Sequence, residues 1–304
     1  MKNIFALIKR NCLLFLRSKS TVFFSLFSSL ILIVLYFLFI AKLYSQGFNE
    51  AAGLNLTSNQ LNFAIYSQMI MGVLVINSVS LSIGMFTIMA SDFEKRKTDA
   101  LMLTKLKPYE LMVSYLVSAL IVSFLINFVM LVISFIIIGI ATSYWISFLT
   151  FCEIVGALII TTIVSCSVML LITTLVRSSS AMGVINGILG TILGFLCGIY
   201  MPYSNMGSAA KIIGSFLPFT HLTIWLKQIV LNNVFAQLGL PSELSLSMQD
   251  MWFSAGNVGL AGLDVPLWGM ILLCGLVACV CLIVSILLLR KKLYGEHIAS
   301  LRKK

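Results

Sequence analysis

Apolar residues in this chain come in long unbroken runs, and polar and charged residues are gathered between them. Thr21 to Ile40 is uncharged, and so is Ala64 to Ala90. Crossing the hydrocarbon core as a helix takes about 20 apolar residues, so each run predicts one span. Leu111 to Cys152 is 42 residues without a charge, too many for one crossing. Ala141-Thr142-Ser143-Tyr144-Trp145 interrupts it. Tyr and Trp favour the membrane interface, which predicts a tight external turn there. The third span is then Leu111 to Ile140 and the fourth Ile146 to Leu175. Ala181 to Tyr200 gives the fifth and Leu267 to Leu289 the sixth. The pattern predicts an all-α membrane protein with six transmembrane helices in a single domain, 1–304.

Ile212 to Leu231 is long enough for a seventh span but contains Pro218, His221 and Lys227. A mid-membrane Lys costs about 2.5–3.5 kcal/mol on insertion scales. An odd span count would also strand the basic C-terminal tail outside. The chain from Met201 to Asn232 is therefore expected to dip part-way into the outer leaflet, packed against protein, as a re-entrant hairpin within an external segment, 201–265.

The first apolar run, longer than a signal-peptide core and with no small-residue cleavage site after it, does not read as a signal peptide. Residues 1–19 read as an amphipathic helix. Ile4, Ile8, Cys12, Phe15 and Leu16 fall on one face at 100° per residue, with Lys2, Lys9, Arg10 and Arg17 opposite. Such a helix lies in the membrane surface; the plainer alternative is that it prolongs the first span.

Sixty per cent of residues are hydrophobic and 10% charged, far too few charges to clothe a water-facing surface. The net charge of +10 raises the question of nucleic acid, but 17 of the 20 Lys and Arg lie in four segments that abut apolar runs. These are Lys2 to Lys19, Lys95 to Lys107, Arg177 and Arg290 to Lys304. That is the signature of cytoplasmic ends, and it predicts both termini inside a plasma membrane. No basic domain is left for nucleic acid. Seven Cys in or beside apolar runs show neither a disulfide framework nor zinc spacing, and His221 and His297 are too far apart to suggest a metal cluster. No Gly precedes a Lys, so there is no phosphate-binding loop, and this chain is expected to bind no cofactor and to be no enzyme.

The segment 91–108 mixes charge and apolar residues. Ser91 and Glu94 have capping-box spacing, and Asp92 and Glu94 would sit at the positive end of a helix dipole. Phe93, Ala100, Leu101 and Leu103 form an apolar strip, and Pro108 suits the first turn of the next helix. The segment reads either as a solvated topogenic loop or as a short helix that docks on a partner. Arg177-Ser178-Ser179-Ser180 reads as a helix cap with room for a lesser contact. In span five, Gly183, Gly187, Gly190, Gly194 and Gly198 make a small-residue ridge for close helix packing, within one subunit or across a homodimer seam. Asn77, Asn127, Glu153 and Asn186 are polar positions inside spans, candidates for a pathway or for structural bonding. No paired-carboxylate, Ser-His-Asp or Cys-His constellation is present.

The arrangement resembles the membrane-spanning subunits of type-2 ABC exporters. Glu94 to Pro108 with Tyr109-Glu110-Leu111 is similar to the family's acidic-basic-Thr-Leu-Leu-Thr-Pro stretch, although Lys97 stands where the family usually has Gly and the Thr-Pro pair is spread over Thr104 to Pro108. Gly198-Ile199-Tyr200-Met201-Pro202, followed by Leu217-Pro218-Phe219-Thr220-His221, is similar to its Gly-x-x-x-Pro ending of span five and its Leu-Pro-x-Thr-His segment. The resemblance implies a permease pairing with a second copy or a homologous permease through spans one and five. It implies a cytosolic ABC ATPase carrying ATP and Mg, contacted by the amphipathic helix and by a coupling helix formed by Asp92, Phe93, Glu94, Arg96, Thr98, Leu101 and Leu103. Pro202, Pro218 and His221 would shape the re-entrant hairpin. The expected activity is bacterial export of a hydrophobic or amphipathic molecule such as a drug, an antimicrobial peptide or a lipid-like compound, with antimicrobial resistance as a possible outcome. An ion-gradient transporter working through Glu153, and a non-transporting anchor or sensor recruiting a cytosolic partner, are the alternatives.

Overall fold

A computed structural model describes residues 2–23, 25–27, 57–102, 106–176, 178–200, 205–239 and 266–301. Most of the first expected span, Leu103, Arg177, Pro202 and, of the external segment, residues 201–204 and 240–265 lie outside these. Among the described residues the helices are α1 (Lys2–Arg17), α2 (Ser58–Glu94), α3 (Lys97–Met102), α4 (Pro108–Thr142), α5 (Phe148–Val176), α6 (Ser179–Leu196), α7 (Ser208–Ser215), α8 (Pro218–Gln237) and α9 (Leu267–Leu301). Helix α1 stops at Arg17, and helix resumes at residue 19 after the single break at Ser18.

Five of these helices are long and apolar enough to cross a bilayer: α2, α4, α5, α6 and α9. Helices α7 and α8 pass the same test together but meet at 94°. Pro218 is the first residue of α8 and holds Leu217 extended, since a residue before proline avoids the helical region. The His221 ring Nε2 donates across the bend to the Ser215 carbonyl at 2.7 Å.

Helix α2 is the axis of the fold. It has 37 residues, about 55 Å at 1.5 Å per residue, so it tilts or projects beyond a core of about 30 Å. It touches α1, α3, α4, α5, α6 and α8, and its most apolar window is wholly buried. Helices α4 and α9 instead leave most of that window uncovered, with Ile133, Ile137 and Ile140 exposed on one and Leu272, Leu276 and Ile283 on the other. Lipid-facing helices must be nearly all apolar, whereas a helix screened by protein can carry polar groups. Ser67, Gln68, Asn77, Ser78, Ser80 and Ser82 of α2 are all buried.

The turn expected at residues 141–145 forms as read. Helix α4 ends at Thr142, Ser143 takes the left-handed conformation (φ 64°), and α5 begins at Phe148. Trp145 folds onto Gly139, where a Cβ would meet the indole at 2.6 Å, so a larger residue there would have to displace the ring. The Trp145 carbonyl accepts a 2.9 Å bond from the Gln237 amide at the end of α8.

Span five is shorter than its hydropathy suggested. Helix α6 ends at Leu196, and Gly198 takes φ 66° just beyond it. The Ile199 N–H then reaches the Gly194 carbonyl at 3.2 Å, closing a left-handed helix end. Lys227, which weighed against a seventh span, is buried with its Nζ donating to the Gly198 carbonyl at 2.7 Å. A cation at a helix C-terminus is stabilised by the helix dipole, which is how α8 accommodates it.

Candidate functional site at the basic end of the bundle

Helix α1, the α2–α4 connection and the α5–α6 connection converge at one end of the bundle. At its centre is Asp92, 2% exposed. Arg10 Nη2 of α1 lies 2.8 Å from Asp92 Oδ2, the Tyr115 hydroxyl of α4 donates to the same oxygen at 2.7 Å, and Lys97 Nζ stands 3.8 Å from Oδ1. Burial disfavours the Arg10 charge, but the hydrogen bond and field of the Asp92 carboxylate outweigh it and hold the guanidinium above its ordinary pKa. The bracket ties α1, α2, α3 and α4 together through one carboxylate.

This revises the reading of α1. Arg10 is turned into the protein instead of facing water. The buried stripe of α1 is Leu7, Asn11 and Phe15, with Ile4, Ile8 and Cys12 beside it, while Leu16 is exposed. A seat on α4 and a buried charge to neutralise displaced the two-faced pattern by part of a turn.

Glu94 also stands differently from expectation. Helix α2 runs through Ser91 to Glu94, so those two residues form no capping box, and Asp92 and Glu94 lie at the negative end of their own helix. Glu94 is instead exposed and crosses to the next connection. The Ser179 N–H and hydroxyl donate to Glu94 Oε2 at 3.1 and 2.7 Å. It therefore does meet a positive helix end, that of α6.

Between α2 and α3 the chain turns at Lys95 and Arg96, with Arg96 at φ 53°, a conformation costing a non-glycine residue roughly 1 kcal/mol. Phe93 and Leu101 of the apolar strip pack against the core and Thr98 is buried, while Ala100 of the strip is exposed and Leu103 lies outside the described residues. Lys95, Arg96, Lys97, Asp99 and Ala100 are exposed. A connector of six helical residues must hold its apolar side chains against the bundle to stay in place. Pro108 opens α4, and the Lys107 N–H donates to Glu110 Oε2 at 3.0 Å.

The remaining candidates lie elsewhere. Asn77 Nδ2 donates to Asn127 Oδ1 at 2.7 Å, Asn127 Nδ2 to Ser78 Oγ at 2.7 Å, and Ser80 Oγ to Asn186 Oδ1 at 2.7 Å. These three Asn are buried and join α2 to α4 and α6. Glu153 is exposed in a groove between α5 and α8. The glycines of α6 do not form one ridge. Gly190, Gly194 and Gly198 are buried, and a Cβ on Gly194 would overlap the Tyr200 ring. Gly183 and Gly187 are exposed, with no described atom within 4 Å of where a Cβ would stand.

The family model described as ABC-2 family transporter protein matches residues 44–289, most of the chain. The chain belongs to the ABC-2 transporter family. Membership makes this ABC-2 protein a membrane component of a transporter and implies an ABC ATPase as its partner. No curated protein matches the chain. Sequence reasoning found the α2–α4 connection and the Ser179 cap, but missed Tyr115 and set Arg10 on the water-facing side of α1. A buried Asp in a charge-poor chain was the available signal, because such a group requires partners.

Proposed function

We propose that this ABC-2 chain is the permease subunit of an ATP-driven exporter, acting as a pair of membrane subunits with two cytosolic ATPase chains that hold ATP and Mg. The basic end is the cytoplasmic one. The observation that carries this reading is the position of α3. It follows directly on the end of α2, where Asp92 is tied to α1 and α4 and Glu94 to α6. A push on α3 from a docked ATPase is delivered to helices on both sides of α2, because packed helices move as stiff bodies and not by local yielding. The exposed Arg96, Lys97, Asp99 and Ala100 present the contact, and Asp92, Thr98 and Leu101 hold the segment in place. Gly183 and Gly187 offer a close-approach surface for the second membrane subunit. The substrate is hydrophobic or amphipathic, and it leaves the cell.

Charge reversal at Glu94 (Glu94→Lys) removes the acceptor for Ser179, and a Gly-Gly insertion after Ala100 uncouples α3 from the core. Both are expected to abolish transport-stimulated ATP turnover of the reconstituted complex while membrane insertion and ATPase binding persist. Normal stimulated turnover in either variant would refute the coupling role.

A further inference from the structure

The Glu153 groove is built from two helix walls whose polarity changes in the same direction. The start of α5 lies beside the end of α8, with the Ser147 N–H 3.5 Å from Asn233 Oδ1. At that end the groove, about 630 Å³, is lined by Thr150 and Glu153 of α5 and by Asn232 and Asn233 of α8. Deeper, α5 contributes Ala157 and Ile160, and α8 contributes Ile229 and Trp225. Glu153 to Ile160 is about 10 Å along one wall, and Asn233 to Trp225 about 12 Å along the other. Gly156 keeps the floor open, with no described atom within 4 Å of where its Cβ would be. Phe148 and Leu149 beside the mouth are 80% and 69% exposed, so the groove opens sideways toward lipid.

Glu153 is the one acid between Glu110 and Glu243. Among the described residues it makes no ion pair, and Lys227 of α8 is committed to the Gly198 carbonyl. A single carboxylate suits a monovalent ammonium and not a divalent cation, which takes six to eight oxygens or an octahedral shell. Asn233 is already held at the mouth, accepting from the Gln237 amide at 3.0 Å.

We propose that this groove binds the headgroup of an aminophospholipid from the membrane leaflet at that end. Its ammonium sits against Glu153, its phosphate ester accepts from the Thr150 hydroxyl and the asparagine amides, and its chains run along Ile160, Ile229 and Trp225. The site belongs to this chain alone and is tested without an ATPase, so it stands or falls separately from the coupling reading.

The protein is reconstituted into nanodiscs of equal phosphatidylethanolamine and phosphatidylglycerol, released, and the lipid it retains is weighed by native mass spectrometry. Wild type is expected to retain phosphatidylethanolamine preferentially. Glu153→Gln is expected to weaken that retention about tenfold by removing a charge-assisted hydrogen bond, without altering phosphatidylglycerol or the melting temperature. Equal retention of the two lipids by wild type, or an unaltered preference in Glu153→Gln, overturns the proposal. So does disulfide cross-linking of Glu153→Cys to a second copy, since the groove is then a subunit interface.

Discussion

Helix α2 holds polar groups at two levels by two different means. At mid-length, neutral amides and hydroxyls bond sideways: Asn77 to Asn127, Asn127 to Ser78 and Ser80 to Asn186. At its end, one formal charge, Asp92, is enclosed by Arg10, Tyr115 and Lys97. The neutral bonds are individually weak in a membrane, because a helix separated from its neighbours still finds other partners in lipid. The charged bracket behaves differently. Opening it leaves a carboxylate buried without its counter-ion, which costs far more than the pair contributes while intact. The centre of α2 is therefore held by many modest contacts, and its end by one that fails as a unit.

The largest effect expected is from Arg10→Ala, which leaves Asp92 with Tyr115 and the more distant Lys97. Loss of roughly 3 kcal/mol is expected in detergent unfolding, with much of it recovered when Asp92→Asn is added, because the double variant has no buried charge to strand. If Arg10→Ala unfolds like wild type, Lys97 suffices and the comparison is broken. Next is Gly194→Ala, whose Cβ cannot fit against Tyr200 without displacing it; about 1–3 kcal/mol should be lost, while Gly187→Ala should leave subunit stability unchanged. Smallest is Asn127→Leu, which removes two of the mid-level bonds. A loss of about 1 kcal/mol is expected, seen as a slight fall in melting temperature. A loss as large as that of Arg10→Ala would mean that the neutral level is also one cooperative unit.

How much could be read in advance varies by region. The turn at Ser143 and Trp145, the opening of α4 at Pro108 and the bend before Pro218 were legible because each is set by neighbouring residues. The docking segment was legible as a place but not as a surface. Phe93 and Leu101 looked available in a charged stretch and are in fact packed inward, since hydropathy says that a side chain will be covered but not by what. The glycines of α6 show the same limit. Their spacing announced close approach, yet Gly190 and Gly194 face the subunit's own interior while Gly183 and Gly187 face out.

The sequence by itself determined the membrane class, the long apolar helices, where they turn, and the basic end of the bundle. Those properties follow from local hydropathy, charge and backbone restriction, which act within a few residues along the chain. Only the tertiary structure decided who neutralises Asp92, which helix end Glu94 serves and which Asn pairs join. Glu94 and Ser179 are 85 positions apart, and Ser80 and Asn186 are 106 apart. Partners at such separations are chosen by how whole helices pack around α2, a three-dimensional fit that no local pattern encodes.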